Sequence, residues 1–167
     1  MKTITQHITE RLQLTRDRVK YEYFPKTKKE LKNIIQNITS EHENDKVIDL
    51  NMIDTSKIED MSDMFIDNYN NYDISQWDVS NVRDMSGMFF NSEFNNDISK
   101  WDVSQCKTMF AMFSHSFFNK DISKWDVSNV REMKFIFTDS KFNQDLTQWK
   151  TKIQDEELLK YIQDYIK

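Results

Sequence analysis

The sequence Asp-Ile-Ser-Lys-Trp-Asp-Val-Ser occupies residues 97–104 and again residues 121–128. Residues 73–80 repeat it with one change, the replacement of Lys by Gln76. The copies share a fixed period of 24 residues, which is marked by four tryptophans: Trp77, Trp101, Trp125 and Trp149. A repeat of this length is typical of proteins in which strand-plus-helix units stack on one another, so the period decides the fold.

Each 24-residue unit is predicted to contain one strand and one short helix. The spacing of one helix face is present in Val82, Met85, Met88 and Phe89, and Ser80 stands where an N-cap would. The equivalent serines of the other units are Ser56, Ser104 and Ser128. The segment 97–101 is typical of one rung of a parallel sheet. The sequence therefore predicts an α/β fold, a leucine-rich-repeat-like (LRR-like) solenoid of four 24-residue strand-plus-short-helix repeats with helical N- and C-terminal caps.

The helical caps are predicted from the two ends of the chain. Thr27 and Glu30 form a capping box, and the apolar positions that follow have helical spacing: Leu31, Ile34, Ile35 and Ile38. Ile4, Ile8 and Leu12 predict a further helix before them. An acidic run at 155–157 is expected to begin a helix whose apolar residues cover the last repeat: Leu158, Leu159, Ile162, Tyr165 and Ile166. We expect one folding unit with three parts, a helical N-terminal cap at 1–45, the repeats at 46–149 and a C-terminal capping helix at 150–167.

Positions that recur once in each repeat form columns along the predicted stack. We expect the Trp, Met and Phe columns to be core, with a stacking platform for sugars or bases as the alternative for the Trp rings. Cys106 takes a position that Val82 and Val130 hold in other repeats, and is expected to be a small core residue. One Asn column is expected to form turns: Asn71, Asn95, Asn119 and Asn143. Two Asp columns are expected to cap turns, with Ca²⁺ binding as the alternative: Asp73, Asp97, Asp121 and Asp145, and Asp54, Asp78, Asp102 and Asp126.

Charge is distributed unevenly along the chain. The net charge is -5, but residues 1–36 hold nine Lys or Arg against four Asp or Glu. This basic segment leaves open an association with nucleic acid. The single cysteine excludes an intramolecular disulfide, and no apolar run is long enough to cross a bilayer. The first residues lack the apolar region of a signal peptide, so we expect a cytoplasmic or virion-associated protein without membrane insertion.

The repeated pattern Asp-Ile-Ser-x-Trp-Asp-Val-Ser-Asn-Val-Arg-x-Met-x-x-Met-Phe resembles the BspA-like repeat. That repeat is also known as the bacterial surface protein 26-residue repeat or the Mycoplasma lipoprotein repeat. The resemblance covers residues 46–149 and rests on the recurrence of the whole unit. It implies an LRR-like solenoid with a role in binding or surface display. It implies no catalytic residues, because the family shares none that could be carried over.

Together these observations predict a non-catalytic protein-interaction or structural repeat module, associated with a virion or another assembly. The alternatives are a nucleic-acid-associated protein that uses the basic N-terminal segment, and a surface adhesion or glycan-binding module. The expected partner is a protein or a particle component, with glycan open and nucleic acid disfavoured. No catalytic residue, metal ligand or cofactor is predicted. The predicted partner-binding residues are polar positions of the strand: Ser75, Gln76, Ser99, Lys100, Ser123, Lys124, Thr147 and Gln148.

Overall fold

The computed structural model describes residues 21–42 and 45–167. The regular elements in these residues are short: helix α1 (Lys28–Glu41), strands β1 (Ile48–Asp49) and β2 (Tyr72–Asp73), helices α2 (Thr147–Lys150) and α3 (Glu156–Leu159), and a 3-10 helix at Gln163–Tyr165. The two strands pair in parallel, with Ile48 beside Tyr72. The further helix predicted at Ile4, Ile8 and Leu12 lies outside the described residues.

The predicted LRR-like solenoid of strand-plus-short-helix repeats is wrong. Residues 74–146 contain neither a helix nor a strand, and consist of turns and isolated bridges. Over the described residues, 17% are helical and 7% lie in strands or isolated bridges. The segment 97–101, expected to be a rung of a sheet, is instead a turn in which the Trp101 N–H donates to the Ile98 carbonyl (3.1 Å). The 24-residue units are therefore built from turns.

Backbone geometry explains why the short helices do not form. Gly87 and Asn91 have positive φ, 60° and 49°, whereas a right-handed helix needs negative φ at every residue. The same two positions have positive φ in the other repeats: Asp63, Asp67, Ala111, His115, Phe135 and Asp139. Met85, Met88 and Phe89 are nevertheless fully buried. Their spacing indicates correctly which side chains point inward, but a series of turns produces it.

Hydrogen bonds between repeats replace those of a helix. The N–H groups of four alternate residues donate to carbonyls of the next repeat at 2.8–3.0 Å: Met85 to Thr108, Gly87 to Phe110, Phe89 to Met112, and Asn91 to Ser114. Residues 61–67 and 109–115 donate to their following repeats in the same way. Parallel bridges also join Asp60, Asp84, Thr108 and Glu132 in order. Because buried backbone groups must be paired, each repeat depends on its neighbour to satisfy its polar atoms.

Aspartates close many of the turns. The N–H of Ser80 donates to Asp78 Oδ1 (3.0 Å). Equivalent bonds join Ser56 to Asp54, Ser104 to Asp102, and Ser128 to Asp126. The predicted role of these serines as helix N-caps is therefore wrong, and the expectation that the Asp columns cap turns is confirmed. An Asp that accepts from the backbone two residues on mimics a backbone turn, which allows frequent turns in a chain with one Gly and one Pro.

The predicted core columns are confirmed. The four tryptophans are buried, and each indole N–H donates to a carbonyl of the preceding repeat, as from Trp125 to Ile98 (3.1 Å). A second column stacks ring on ring, with 5.5–5.8 Å between centroids: Phe65, Phe89, Phe113 and Phe137. Cys106 is fully buried, and its burial raises the pKa of the thiol to about 12. The thiol therefore stays neutral and acts as a small core group.

Helix α1 covers the first repeats much as predicted. It begins after Thr27, whose hydroxyl accepts from the Glu30 N–H (3.2 Å). Its buried side chains are Leu31, Ile35 and Ile38, three of the four apolar positions expected to face the core. The capping-box signal and the apolar periodicity were sufficient here because this segment makes its hydrogen bonds within itself.

The C-terminal segment does not form the single capping helix predicted at 150–167. It contains α3, which spans four residues, and the separate 3-10 helix. The Tyr165 carbonyl accepts from the Leu146 N–H (2.8 Å). The Tyr165 ring packs against Phe137 and Phe142, with centroid distances of 5.1 and 5.5 Å. The segment covers the last repeat by bending back onto it, and a straight helix would not make these contacts.

Candidate functional site

The predicted partner-binding residues lie along one edge of the stacked repeats. We call it the polar edge, residues 73–76, 97–100, 121–124 and 145–148. An open cavity of about 500 Å³ is lined by Ser99 and Lys124 with Asn96, Asp97, Lys120 and Asp121. A second, of about 180 Å³, is lined by Ser123, Thr147 and Gln148 with Asp121, Gln144 and Asp145. The structure thus places five of the eight predicted residues in two neighbouring depressions, and Ser75, Gln76 and Lys100 in neither.

Many polar atoms of the polar edge are already used within it. The N–H groups of Ser75, Ser99, Ser123 and Thr147 donate at 2.8–3.0 Å to the Asp two residues before each. The Ser99 N–H holds the pKa of Asp97 below its ordinary value, and the Ser123 N–H does the same for Asp121. Among the predicted residues, the exposed side chains are Gln76, Lys100, Lys124, Thr147 and Gln148. The Thr147 hydroxyl already donates to Asp145 Oδ1 (2.6 Å).

An asparagine ladder runs between the repeats beside the polar edge. Asn95 Oδ1 accepts from the Asn119 N–H (2.9 Å), and Asn119 Oδ1 accepts from the Asn143 N–H (3.0 Å). The amide bonds to adjacent backbone expected of this column are confirmed, but its expected turn-forming role is wrong, because none of the four Asn lies in a turn. Within residues 21–42 and 45–167, no three His, Cys, Asp or Glu side chains are grouped so that they could hold a metal ion. The recurring Asp and Asn side chains thus support the backbone.

A second surface exposes large apolar side chains. It consists of the outward positions of residues 62–69, 86–93, 110–117 and 134–141, and we call it the aromatic face. Phe110, Phe117 and Phe135 are 41%, 51% and 46% exposed, and Ile66 and Tyr69 are also exposed. Single exposed apolar residues are ordinary, whereas a contiguous group of them marks a binding surface.

The basic end of the aromatic face lies in the last two repeats. The rings of Phe110 and Phe135 meet edge to face, with 5.8 Å between centroids. Lys134 Nζ lies 4.9 Å from the centre of the Phe135 ring, and Lys141 Nζ lies 6.0 Å from that of Phe117. Cation–π contacts at exposed sites contribute only about 0.5–1 kcal/mol, so a partner can replace them at small cost.

Contacts between earlier repeats extend this surface towards the N-terminal end. Phe90 meets the ring of His115 edge to face, with 5.4 Å between centroids. The Asn91 side-chain amide donates to the Tyr69 hydroxyl (3.4 Å). These pairs link the first repeat to the second and the second to the third. Exposed side chains of the aromatic face therefore contact the adjacent repeat along the stack.

Phe135 has a backbone conformation that its side chain disfavours. Its φ is 62°, and the same position holds Asp63, Gly87 and Ala111 in the earlier repeats. Left-handed backbone costs an L-residue about 1–2 kcal/mol, and a bulky side chain there is an outlier. Because about half of the side chain is exposed, packing in the core does not account for it. Strained residues concentrate at functional sites, which marks Phe135 as a candidate binding residue.

The site predicted from the sequence does not include the aromatic face, because it rests on positions that recur. Phe110 replaces Ser62 and Ser86 of the earlier repeats, and Phe117 replaces Glu93. An aromatic residue at a position that is polar in other repeats is a signal that the sequence carries. The sequence does not indicate the succession of turns in each repeat. Those turns place these positions outward and next to one another.

The repeats are also recognised by comparison with known proteins. A family model described as "Mycoplasma protein of unknown function, DUF285" matches residues 29–149. The matched range begins in α1 and ends at the last Trp of the column. No curated protein and no solved structure matches the chain. Among the helices of residues 21–42 and 45–167, none has the length and apolar character needed to span a membrane.

Proposed function

The chain belongs to the DUF285 family of Mycoplasma proteins of unknown function, and we propose that it is a non-catalytic protein-interaction module that binds through its aromatic face. The observation that carries the proposal is the exposure of Phe110, Phe117 and Phe135 in two adjacent repeats, where the rings of Phe110 and Phe135 meet. Aromatic side chains are enriched at protein interfaces, and a few of them supply most of the binding energy. The finer resemblance to BspA-like surface repeats is consistent with this role.

The backbone that carries these rings is held in place before a partner arrives. The Phe110 carbonyl accepts from the Gly87 N–H (2.8 Å), and the Ala111 N–H donates to the Lys134 carbonyl (2.9 Å). A surface fixed in this way loses little conformational entropy on binding, so more of the contact energy remains as affinity. Lys134 and Lys141 add charge that steers and orients a partner.

The polar edge is the second candidate surface, and its predicted binding residues remain a proposal. Its support is the open cavity beside the exposed Lys124. Against it, the recurring Ser and Asp groups of the edge already bond to one another, which leaves few atoms to a partner. The aromatic face offers apolar area that is in contact only with solvent and neighbouring side chains. We therefore place the main binding surface there.

Crosslinking capture of the tagged protein from its native source, read by mass spectrometry, tests this choice. The face variant carries Phe110→Ser, Phe117→Glu and Phe135→Asp, so that each position takes a residue found there in an earlier repeat. The matched edge variant carries Lys100→Glu and Lys124→Glu. We expect the face variant to lose at least about tenfold of the captured partner and the edge variant to retain it. Loss in the edge variant alone, or in neither, would overturn the proposal.

The remaining parts of the functional prediction stay predictions. These are the association with a virion or other assembly, the cytoplasmic or virion-associated location, and the glycan-binding alternative, which a glycan array tests directly. The nucleic-acid alternative rests on the basic residues 1–36, of which 1–20 lie outside the described residues. A steep loss of binding with added salt would support that alternative.

A further inference from the structure

The aromatic face changes its charge from one end to the other. Residues 62–69 carry two acidic side chains, Asp63 and Asp67, and no basic one. Residues 86–93 carry one acidic side chain, and residues 110–117 contain no Asp, Glu, Lys or Arg. Residues 134–141 carry two lysines and one Asp. The formal charge thus rises in steps along the four repeats, from acidic at the first to basic at the last.

Exposed apolar side chains accompany both ends of this charge gradient. Ile66 and Tyr69 lie at the acidic end, while Phe117 and Phe135 lie in the two repeats at the other end. The residues between, 86–93, include only the half-exposed Phe90 as a large outward apolar side chain. The face therefore has two apolar parts of opposite charge.

We propose that the aromatic face binds the same face of a second copy of this chain, with the two copies antiparallel about a twofold axis. This inference rests on the proposed function, for which it names the partner. In the antiparallel arrangement, the first repeat of each copy meets the fourth repeat of the other. Asp63 and Asp67 of each copy then meet a repeat of net charge +1, in which Lys134 and Lys141 outnumber Asp139, once in each half of the interface. Twofold pairs in which the same patch meets itself are the commonest protein oligomers.

Other occupants fit only part of this surface. An acidic peptide complements Lys134 and Lys141 but is repelled by the first repeat. A basic peptide has the opposite preference, and a parallel second copy places acidic against acidic and basic against basic. An antiparallel second copy complements both ends at once, and it also brings Ile66 and Tyr69 against the repeat that carries Phe135. Charge complementarity of this kind fixes orientation more than it adds affinity, so the rings supply the contact energy.

The area of the aromatic face sets the expected affinity of the dimer. Four repeats at about 4.8 Å each give a length of about 20 Å, because parallel-bridged segments have strand spacing. Eight residues would span about 24 Å if fully extended at about 3 Å each, and turns span less, so each copy contributes at most roughly 500 Å². The total of about 1,000 Å² is at the lower limit for a specific interface. We therefore expect a weak dimer, with a dissociation constant in the micromolar range.

Sedimentation velocity of the full chain between about 1 and 100 μM tests the inference, since this range brackets a micromolar dissociation constant. The acidic-end variant carries Asp63→Lys and Asp67→Lys, and the basic-end variant carries Lys134→Glu and Lys141→Glu. Each variant alone places like charges at both ends of the interface, so we expect self-association to weaken about tenfold. An equimolar mixture restores opposite charges at both ends, and we expect it to form a dimer close to wild type in strength.

Restoration in the mixture would show that both variants fold and that like charges caused the loss in each. Weakening in the acidic-end variant alone would support antiparallel pairing, because a parallel wild-type pair already places like charges together at both ends. Because Asp63 and Asp67 have positive φ, Asp63→Asn with Asp67→Asn serves as a second variant that keeps side chains suited to this backbone. We expect it to weaken the dimer less than the lysine variant does. A wild-type chain that stays monomeric at 100 μM, or a dimer unaffected by every variant, would overturn the inference.

The two proposals can fail separately. A monomeric wild-type chain whose face variant still loses a captured partner would retain the proposed function and reject self-pairing. A dimer that depends on the charge pairs, without any other captured protein, would support self-pairing and make the second copy the partner of the face. A dimer that dissociates in the edge variant but not in the charge variants would reject both.

Discussion

The polar edge and the aromatic face belong to the same repeats but vary in opposite ways. Along the polar edge, Asp-Ile-Ser-x-Trp recurs in residues 73–77, 97–101 and 121–125. On the aromatic face, the position of Phe135 holds Asp, Gly and Ala in the preceding repeats. The recurring residues make defined bonds within the stack, whereas the aromatic residues that depart from their columns, Phe110, Phe117 and Phe135, are exposed. In this protein, repetition marks what the backbone requires, and variation marks where a surface can acquire a binding role.

The difference has a physical origin in how the two surfaces hold the backbone. At the polar edge, the Asp side chain closes the turn and the Trp indole bonds to the preceding repeat, so a change of side chain removes a bond. On the aromatic face, backbone N–H and carbonyl groups make the inter-repeat bonds themselves. Side chains there are free to change so long as they tolerate the backbone conformation.

The largest effect is expected from Trp125→Ala, in the recurring sequence of the polar edge. Trp125 is fully buried, stacks between Trp101 and Trp149, and bonds to the Ile98 carbonyl. We expect the free energy of unfolding to fall by about 3–5 kcal/mol, the usual cost of such a cavity. Urea denaturation measures it. Phe135→Ala is the control on the aromatic face and should change stability by less than about 1 kcal/mol; equal losses in the two variants would refute the comparison.

A smaller loss is expected from Gly87→Ala on the aromatic face. Gly87 has φ of 60°, and a Cβ there would meet the Asp63 carboxylate. Because alanine must adopt the same left-handed backbone, we expect the substitution to lower the free energy of unfolding by about 1–2 kcal/mol even without that contact. Ala111→Gly, at the same position one repeat later, should have the opposite sign. If the Asp63 contact adds to the cost, the loss will shrink in an Asp63→Gly background, and additive effects in this double-mutant cycle would exclude that contact.

A pH-dependent loss of stability is expected from the turns of the polar edge. Hydrogen bonds from Ser99 and Ser123 lower the pKa of Asp97 and of Asp121 in the folded chain. The two ionised carboxylates therefore stabilise the folded chain at pH values above the pKa of Asp in the unfolded chain, which is about 4. This stabilisation is lost as the pH falls through the lower pKa values of the folded chain. Urea midpoints should be level from pH 7 to about 5 and fall below about pH 4.

The Asp121→Asn variant controls for this assignment. Asn keeps an oxygen that can accept from the Ser123 N–H, but it does not titrate. We expect the variant to fold at pH 7 and to lose less stability on acidification than the wild-type chain. If the variant loses as much stability on acidification as the wild-type chain does, the loss does not arise from titration of Asp121.

The smallest effect on stability is expected from Phe135→Gly. Glycine adopts positive φ without strain, which stabilises the folded chain by about 1–2 kcal/mol. Against this, the substitution removes the contacts with Lys134 and Phe110. It also increases the conformational entropy of the unfolded chain. We expect stability to rise by between about 0 and 1 kcal/mol, while binding through the aromatic face falls. Thermal unfolding and the capture assay measure the two quantities. A clear loss of stability would assign Phe135 a structural role in place of the binding role.

Side-chain burial could be predicted from the sequence, whereas backbone conformation could not. The columns of Trp, Met and Phe recur at the same position of every unit, so their place in the core followed from the period alone. Helix α1 also followed, because Thr27 and Glu30 satisfy its first turn locally. The short helices were wrong because the spacing of Met85, Met88 and Phe89 arises equally from turns. Positive φ at Ala111 and Phe135 has no sequence signature, since neither residue favours it.

The candidate site was predictable only in part for the same reason. The recurring polar residues were identified and lie together at the polar edge, but their N–H and carboxylate groups bond to one another. The rings of the aromatic face depend on alternating turns that bring Phe110 beside Phe135 across two repeats. Those contacts join residues 25 apart in the chain, and nothing short of the backbone geometry indicates them.

The bonds that join the repeats have a consequence for how such a gene can change. Each repeat offers its successor backbone N–H groups in the same places, whatever side chains it carries. The hydrogen bond from the Leu146 N–H to the Tyr165 carbonyl closes the last repeat, and it does not depend on the number of repeats that precede it. An in-frame duplication or deletion of one unit's codons therefore adds or removes a layer without creating an unmatched junction. Unequal recombination can thus lengthen or shorten the protein in whole steps, and each new copy can then diverge at its outward positions.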